Sequence, residues 1–216
     1  MSDGSVNKNC KLWRIHPATT KAPMSVTAPR TLLNKEDRAA SILRGAATAF
    51  AHAGFAATSM EDVAAASGIT KLIVYRHFDS KEELYRAVLE QVSSRLVTEF
   101  VAGFEAGRQA LGYRTFLTVA RENPDGFVLL WRHAYREPQF AQYALEFRKG
   151  AVDLATTPLA GTFATRPALA RWAPEAVIDE MVSAVLAWLE YGHPSADEEF
   201  LATATAGLRA MVEAWS

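Results

Sequence analysis

The chain has 216 residues, 50% of them hydrophobic, and a formal net charge of −1. This length suits one large domain or two smaller ones, and the composition excludes a wholly disordered chain. No apolar run approaches the roughly 18 residues that span a bilayer, residues 1–30 contain no signal-like run, and the single Cys10 cannot form an internal disulfide. We therefore expect a cytoplasmic protein that does not contact the membrane.

The charge is distributed unevenly along the chain. It is +4 over residues 1–30, −1 over residues 31–91 and −4 over residues 92–216. Residues 1–33 lack periodicity and contain three prolines, which predicts a disordered basic arm, and Met24 is an alternative start that would shorten it. A basic arm suits contact with a polyanion, but the same composition suits a solvated tail, and the pattern leaves both open.

Helical periodicity begins at Asn34, which we predict to cap a first helix that ends near Gly54. Thr58 with Glu61 has the capping-box spacing and predicts the start of a short second helix. Gly68 then offers a turn residue that can adopt a positive φ.

A third short helix is expected from Thr70 to Phe78, and Ser80 with Glu83 forms another capping box. This box opens a fourth, long helix that we expect to run to about Gly103.

The remainder contains amphipathic stretches of helical length separated by Gly and Pro breaks, one of them from Pro167 to Pro174, with no alternating strand pattern. The sequence therefore predicts an all-α fold with about nine helices. We expect a basic arm over 1–33, a domain of three short helices over 34–80, and a longer helical domain over 81–216.

Two short helices joined by a glycine turn are typical of a helix-turn-helix. At 100° per residue, Val74 and Phe78 fall on one side of the third helix. The opposite side carries Leu72, Ile73 and Arg76, with Lys71 and Tyr75 along one edge and His77 along the other. One side thus faces a core while the other is free to enter a DNA major groove.

The residue types on the outward side suit DNA. Arg76 can bind a guanine edge, and Leu72 and Ile73 can contact thymine methyl groups. Tyr75, Lys71 and Lys81 are positioned for phosphates, Lys81 being in the first turn of the fourth helix.

Residues 46–92, "AATAFAHAGFAATSMEDVAAASGITKLIVYRHFDSKEELYRAVLEQV", resemble the N-terminal domain of the TetR family of bacterial transcriptional regulators. The motifs that carry this resemblance are "FAHAGF", "TSMEDVAAASGIT", "YRHF" and "SKEEL". The resemblance implies that the following positions touch DNA: Ser59, Thr70, Lys71, Leu72, Ile73, Tyr75, Arg76, His77 and Lys81. Relatives usually have small or hydroxyl residues where this chain has Leu72 and Ile73, so the bases recognised are expected to differ.

A dimer that reads two half-sites must hold its recognition helices about 34–36 Å apart. The last two predicted helices, the second capped by Ser195, have wide apolar stripes that suit either a dimer interface or the chain's own core. The resemblance favours the interface, because relatives dimerise through a four-helix arrangement of these helices. The predicted interface residues are Val177, Met181, Val185, Leu189, Leu201, Leu208, Met211 and Val212.

Aromatic residues are concentrated between positions 100 and 147. Rings at helical spacing are more often core than ligand site, but Arg132, His133 and Arg136 beside Trp131 and Tyr135 suit a mixed cavity. The resemblance implies an effector pocket here whose occupancy shifts the DNA-reading helices. The predicted lining for a small, largely apolar effector is Phe104, Phe127, Trp131, Tyr135, Tyr143 and Trp188.

Other classes of function have less support. The sequence contains no Gly-rich phosphate loop, no nucleophile elbow and no histidine spacing typical of a metal site, so we predict neither an enzyme nor a cofactor or metal. An adaptor that binds only protein, with Leu72 and Ile73 as a sticky patch, remains the alternative. The predicted function is a homodimeric repressor that binds a palindromic double-stranded DNA operator and is released by a small-molecule effector.

Overall fold

Helices build all of the regular structure in residues 35–216, which are the residues that the computed structural model describes. The predicted all-α fold with nine helices is confirmed for this part of the chain. The helices are α1 (Lys35–Ala57), α2 (Met60–Ala66), α3 (Lys71–Tyr75), α4 (Lys81–Glu105), α5 (Leu111–Glu122), α6 (Pro124–Val128), α7 (Ala141–Leu159), α8 (Pro167–Tyr191) and α9 (Asp197–Trp215). A π-helical segment (Leu129–His133) and a 3-10 turn (Ala134–Arg136) follow α6, and a second 3-10 turn (Pro194–Ala196) precedes α9.

The predicted basic arm and the predicted cap at Asn34 lie outside the described residues. The described helices belong to one compact unit, Leu33–Ser216. None of them is long and apolar enough to cross a lipid bilayer.

The end of α1 and the start of α2 show one correct and one wrong prediction. Gly54 interrupts α1 with a φ of 81°, a conformation that suits glycine, as predicted. The cap of α2 is Ser59 with Asp62, however, and not Thr58 with Glu61. Thr58 is buried, and its hydroxyl donates to the Gly54 carbonyl at 2.7 Å. A buried hydroxyl needs a local partner, and the broken end of α1 provides one.

The cap of α4 is confirmed at Ser80, whose hydroxyl accepts a hydrogen bond from the Glu83 amide at 3.0 Å. The Glu83 carboxylate returns to the Asp79 amide at 2.7 Å, one residue earlier than in a standard capping box. Both bonds satisfy amides that have no partner at a helix start.

Two predictions about the last helices are wrong. The expected break from Pro167 to Pro174 is absent, since α8 starts at Pro167 and continues through Pro174. Pro167 occupies a first-turn position, where the missing amide costs nothing. Ser195 does not cap α9: it lies in the 3-10 turn, where its amide donates to His193 Nδ1, and α9 starts at Asp197.

The predicted dimer face on α8 is also wrong in large part. Val177, Met181 and Val185 are buried within their own chain, as is Leu201 of α9. The reason is that α8 packs against α5 and α7, so its most apolar stripe is used in the core. The other predicted interface residues are only partly buried: Leu189, Leu208, Met211 and Val212.

An aromatic cluster joins α1, α4 and the stretch before α7. Phe140 is buried and stacks on Tyr85 of α4 with ring centroids 4.3 Å apart, while Phe55 at the end of α1 meets Phe140 edge-on at 5.2 Å. Phe50 of α1 contacts the Tyr85 ring from another side, at 4.9 Å. We call Phe50, Phe55, Tyr85 and Phe140 the junction cluster, because it connects α1 and α4 to the segment that leads into the later helices.

Candidate DNA-binding surface and ligand cavity

The turn between α2 and α3 depends on Gly68, which has a φ of 66°. The amide of the next residue, Ile69, donates to the Ala64 carbonyl at 3.0 Å and so closes the end of α2. This bond directs the chain sharply into α3. A residue with a side chain would be strained at this positive φ, which explains why position 68 is a glycine.

The side of α3 that faces inward is the predicted one. Val74 is fully buried, and Ile69 and Phe78 pack against the same core. Three side chains therefore fix the rotation of this short helix. A helix of this length has too few internal hydrogen bonds to hold its own orientation.

The opposite side of α3 is turned outward, also as predicted. Leu72 is 64% exposed and Tyr75 is 43% exposed, and Arg76 is exposed as well, whereas Ile73 is half-buried. Among the described residues, Arg76 has no ion-pair partner. We call Leu72, Ile73, Tyr75 and Arg76 the reading face.

Lys71 has a partner that the sequence did not suggest, because its ammonium group pairs with the Glu61 carboxylate of α2. The hydrogen bond between them lowers the pKa of Glu61 and raises the pKa of Lys71. Both side chains are exposed, so water screens the ion pair. Breaking the pair so that Lys71 can bind a phosphate instead would therefore cost little free energy.

Lys81 is held by the chain itself. Its ammonium group donates to the Phe55 carbonyl at 2.8 Å and lies 4.5 Å from the centre of the Phe55 ring. The terminal carbonyls of a helix attract cations, so Lys81 stabilises the end of α1 in addition to any contact with phosphate.

The remaining predicted contacts surround the reading face. Ser59 forms a reciprocal cap with Asp62, whose carboxylate accepts a hydrogen bond from the Ser59 amide at 2.8 Å. The hydrogen bonds from Ser59 lower the pKa of Asp62. Thr70 precedes α3, is exposed and makes no side-chain cap bond. His77 is half-buried beside Phe78. The structure therefore places the predicted DNA-contacting residues around the starts of α2, α3 and α4 and the turn.

A large cavity of about 760 Å³ lies among the later helices. Its walls come from the end of α4, the start of α5, the second half of α7, the middle of α8 and the end of α9. The lining residues are Phe100, Phe104, Leu111, Gly112, Phe116, Ala151, Leu154, Ala155, Thr157, Pro158, Leu159, Val177, Ile178, Met181, Leu208 and Val212.

Of the six residues predicted to line an effector site, only Phe104 lines this cavity. Trp131 and Tyr135 line a separate pocket of about 430 Å³. Phe127 is fully buried, and the Tyr143 hydroxyl hydrogen-bonds Ser93 at 2.6 Å. The structure does not bring these residues together.

Trp188 is the sixth of these residues, and it belongs to the contact between α8 and α9. It stacks on Phe200 at 4.8 Å and donates its indole N–H to Asp197 at 2.7 Å.

The aromatic residues were misleading because large rings fill space rather than leave it. Phe116, Phe127 and Trp131 pack on one another with centroids 5.3 to 6.2 Å apart. The cavity instead lies beside the small residues Ala151 and Ala155 of α7. Small residues at helical spacing, as at Ala151 and Ala155, are the sequence signal that indicates it.

The described residues do not contain a group of three or more His, Cys, Asp or Glu side chains placed to hold a metal ion.

A short helix fixed from within, a glycine turn and an outward reading face define a helix-turn-helix protein with a helical body. The pattern for "Bacterial regulatory proteins, tetR family" matches residues 42–88. The chain therefore has the N-terminal domain of the TetR family, a family of transcriptional regulators and not of enzymes.

Individual relatives support this assignment. The chain is 39% identical over 80 residues to the HTH-type transcriptional repressor Rv3405c of Mycobacterium tuberculosis, a match that covers 37% of this chain and 39% of that one. It is 30% identical over 115 residues to the HTH-type transcriptional activator FasR of Mycolicibacterium smegmatis, covering 50% of this chain and 52% of that one. The matches thus span from about two fifths to about half of these relatives.

The fold is shared more widely. A crystal structure of a TetR-like transcriptional regulator from Rhodococcus sp. RHA1 superimposes with a TM-score of 0.63 over 82% of this chain and 98% of that one, at 20% identity. The similarity in fold therefore extends well beyond the part of the chain that the curated relatives match.

Proposed function

We propose that the chain is a transcriptional repressor that binds a palindromic double-stranded DNA operator as a homodimer and is released by a small, largely apolar effector. The observation that carries this proposal is the reading face. Its Leu72 and Tyr75 are exposed, while Val74 on the opposite side of α3 is buried. Large apolar groups turned outward beside an unpaired Arg76 suit contact with bases better than contact with water. Access to chromosomal DNA also makes a cytoplasmic location part of the proposal.

Each residue of the surface has a proposed role. Arg76 binds a guanine edge, and Leu72 and Ile73 contact thymine methyl groups. Lys71 leaves Glu61 for a phosphate, and Tyr75 binds a neighbouring phosphate. The flanking contacts to the DNA backbone are Ser59, Thr70, His77 and Lys81.

The direction of control is proposed as repression. The relative from Mycobacterium tuberculosis is named a repressor and FasR is named an activator. Both names describe transcriptional regulators of the HTH type, so both relatives support DNA binding. An effector that lowers operator affinity must bind the non-operator conformation more tightly than the DNA-bound one. The cavity of about 760 Å³ is the proposed effector site, since its size suits a small organic ligand.

DNA recognition is tested by titrating the protein with DNA from upstream of its own reading frame. We expect Arg76→Ala to cost about 1–3 kcal/mol on that DNA, with little loss on unrelated DNA, because a base contact carries sequence information. Lys71→Ala should weaken both kinds of DNA similarly and reduce the salt dependence by about one ion. The matched control is Arg132→Ala, an exposed arginine of the π-helical segment, which should leave binding unchanged.

The same titration decides between the regulator and the protein-binding adaptor. Binding that ignores sequence in the wild-type protein, or no binding, would exclude the proposed operator recognition. An equal loss from Arg132→Ala and Arg76→Ala would assign the effect to net charge.

The dimer is proposed to use the outward sides of α8 and α9. On α9 this side consists of small exposed residues, Ala202, Thr203, Ala206, Gly207 and Ala210. Their size lets a second helix approach closely. Relatives in the TetR family dimerise through the same pair of helices, which supports this choice of interface.

This interface is tested by Ala210→Arg, which places a long charged side chain at the centre of the proposed contact. We expect a monomer in size-exclusion chromatography with light scattering, and operator binding weakened accordingly. Thr98→Arg, on an exposed position of α4, is the control and should stay dimeric. A dimeric Ala210→Arg protein would place the interface elsewhere.

A further inference from the structure

The lining of the large cavity has no charged side chain, and Thr157 is its single polar one among the described residues. Its deepest walls are apolar and tightly held, because Phe116, Ile178 and Met181 are each less than 9% exposed. A ligand buried there cannot form a salt bridge with these walls. Hydrogen-bonding groups would also lose water without replacement, which disfavours them.

Two cations near the cavity in sequence are paired with carboxylates on the surface. Arg108 binds Glu99 at 2.6 Å, and Lys149 binds Asp153 at 2.8 Å. Selectivity in such a site comes from shape and from the exclusion of charge.

The mouth of the cavity is apolar as well. Phe104 of α4 is 70% exposed and Leu154 of α7 is 57% exposed, and both belong to the lining. Thr157 and Pro158 are exposed on the same stretch of α7. Adjoining large apolar side chains exposed at the entrance of a cavity are typical of a binding site that a ligand covers.

We propose that this cavity binds an uncharged ligand whose buried part is hydrocarbon, with at most a hydroxyl or carbonyl group left at Thr157. A medium- or long-chain alcohol or ketone has this chemistry. The regulatory consequence rests on the proposed function, whereas the binding itself does not. The walls contributed by Leu208 and Val212 of α9 bring the ligand next to one of the two proposed dimer helices.

The probes for this proposal are 1-hexanol, 1-octanol and 1-decanol, titrated calorimetrically into the full-length protein without DNA. We expect the affinity to rise about fourfold for each added methylene, the value for full burial of a CH₂ group. At pH 7, decanoate and decylammonium should each bind at least about tenfold more weakly than 1-decanol, because their charges lack partners on the lining. Equal affinity for all three ten-carbon probes would overturn the exclusion of charge.

Three variants locate the ligand. Ala155→Phe places a ring into the cavity and should reduce 1-decanol binding at least about tenfold by occupying its volume. Leu145→Phe is the matched control on the same helix, since Leu145 lines the pocket beside Trp131 instead, and it should bind as the wild type does. Thr157→Lys, at an exposed position, should strengthen decanoate binding about tenfold, because the new ammonium group can pair with the carboxylate.

The opposite results have defined meanings. Loss in Leu145→Phe with retention in Ala155→Phe would place the ligand in the pocket beside Trp131 and overturn the assignment. No gain of decanoate binding in Thr157→Lys would overturn the position of the head group. If 1-decanol binds as expected but does not change operator affinity, the ligand chemistry stands and the effector role in the proposed function fails.

Discussion

Phe140→Ala is expected to lower the free energy of unfolding by about 3–5 kcal/mol, the usual loss when a buried phenylalanine is truncated. Phe140 lies at the centre of the junction cluster, stacked on Tyr85 and edge-on to Phe55. Its removal takes away one ring from each contact and leaves a cavity between α1, α4 and the start of α7. The surrounding helices can close such a space only in part. Urea unfolding followed by circular dichroism measures the change.

Tyr85→Phe is the matched control for this prediction. It keeps the ring stack but removes a hydroxyl that is fully buried and has no hydrogen-bond partner among the described residues. Burial, with a smaller contribution from Glu137, raises the pKa of this hydroxyl, so it stays neutral. We expect a change within about 1 kcal/mol, or a gain in stability, since an unsatisfied buried group is lost. A loss as large as that in Phe140→Ala would mean that the hydroxyl has a partner.

The junction cluster also predicts an effect on DNA binding. Phe50 and Phe55 belong to α1, which supports the helix-turn-helix. Phe140 follows the π-helical segment, whose Trp131 packs against Phe116 of the cavity wall. Loosening this contact should therefore weaken the coupling between ligand and operator as well as stability. The operator affinity of Phe140→Ala with and without 1-decanol measures this coupling.

Gly45→Ala is expected to destabilise the protein by about 1–2 kcal/mol, although alanine favours a helix by about 1 kcal/mol over glycine. A Cβ at Gly45 would lie 2.7 Å from the Ser67 amide nitrogen and 2.9 Å from its Cα. Backbone cannot move aside as a flexible side chain does, and overpacking typically costs about 1–3 kcal/mol. The steric cost thus exceeds the gain in helix propensity.

The clash falls on the residue that precedes the Gly68 turn, so Gly45→Ala should also displace α3 and lower operator affinity. Gly150→Ala on α7 is the control: a Cβ there meets nothing within 4 Å, and the variant should be about 0.5–1 kcal/mol more stable. Thermal and urea unfolding of both variants, with operator titration, test the pair. Stabilisation of both would show that α1 and the turn do not approach as closely as described.

Local sequence determined the helix-turn-helix. The positive φ of Gly68, the cap at Ser80 and the inward position of Val74 follow from residue chemistry and helical periodicity over short distances, and all three were predictable. The cap at Ser59 was missed by one residue, because Thr58 competes for the same role and the broken end of α1 decides between them.

Tertiary structure alone decided how the wide apolar stripes of the helical body are used. Periodicity marks Val177, Met181 and Val185 as one face of a helix, but it cannot say whether that face meets the same chain or a second copy. It likewise cannot separate rings that fill a core from small residues that leave a cavity, since both produce the same apolar pattern. Those outcomes depend on which helices pack together, a property of contacts between residues far apart in the chain.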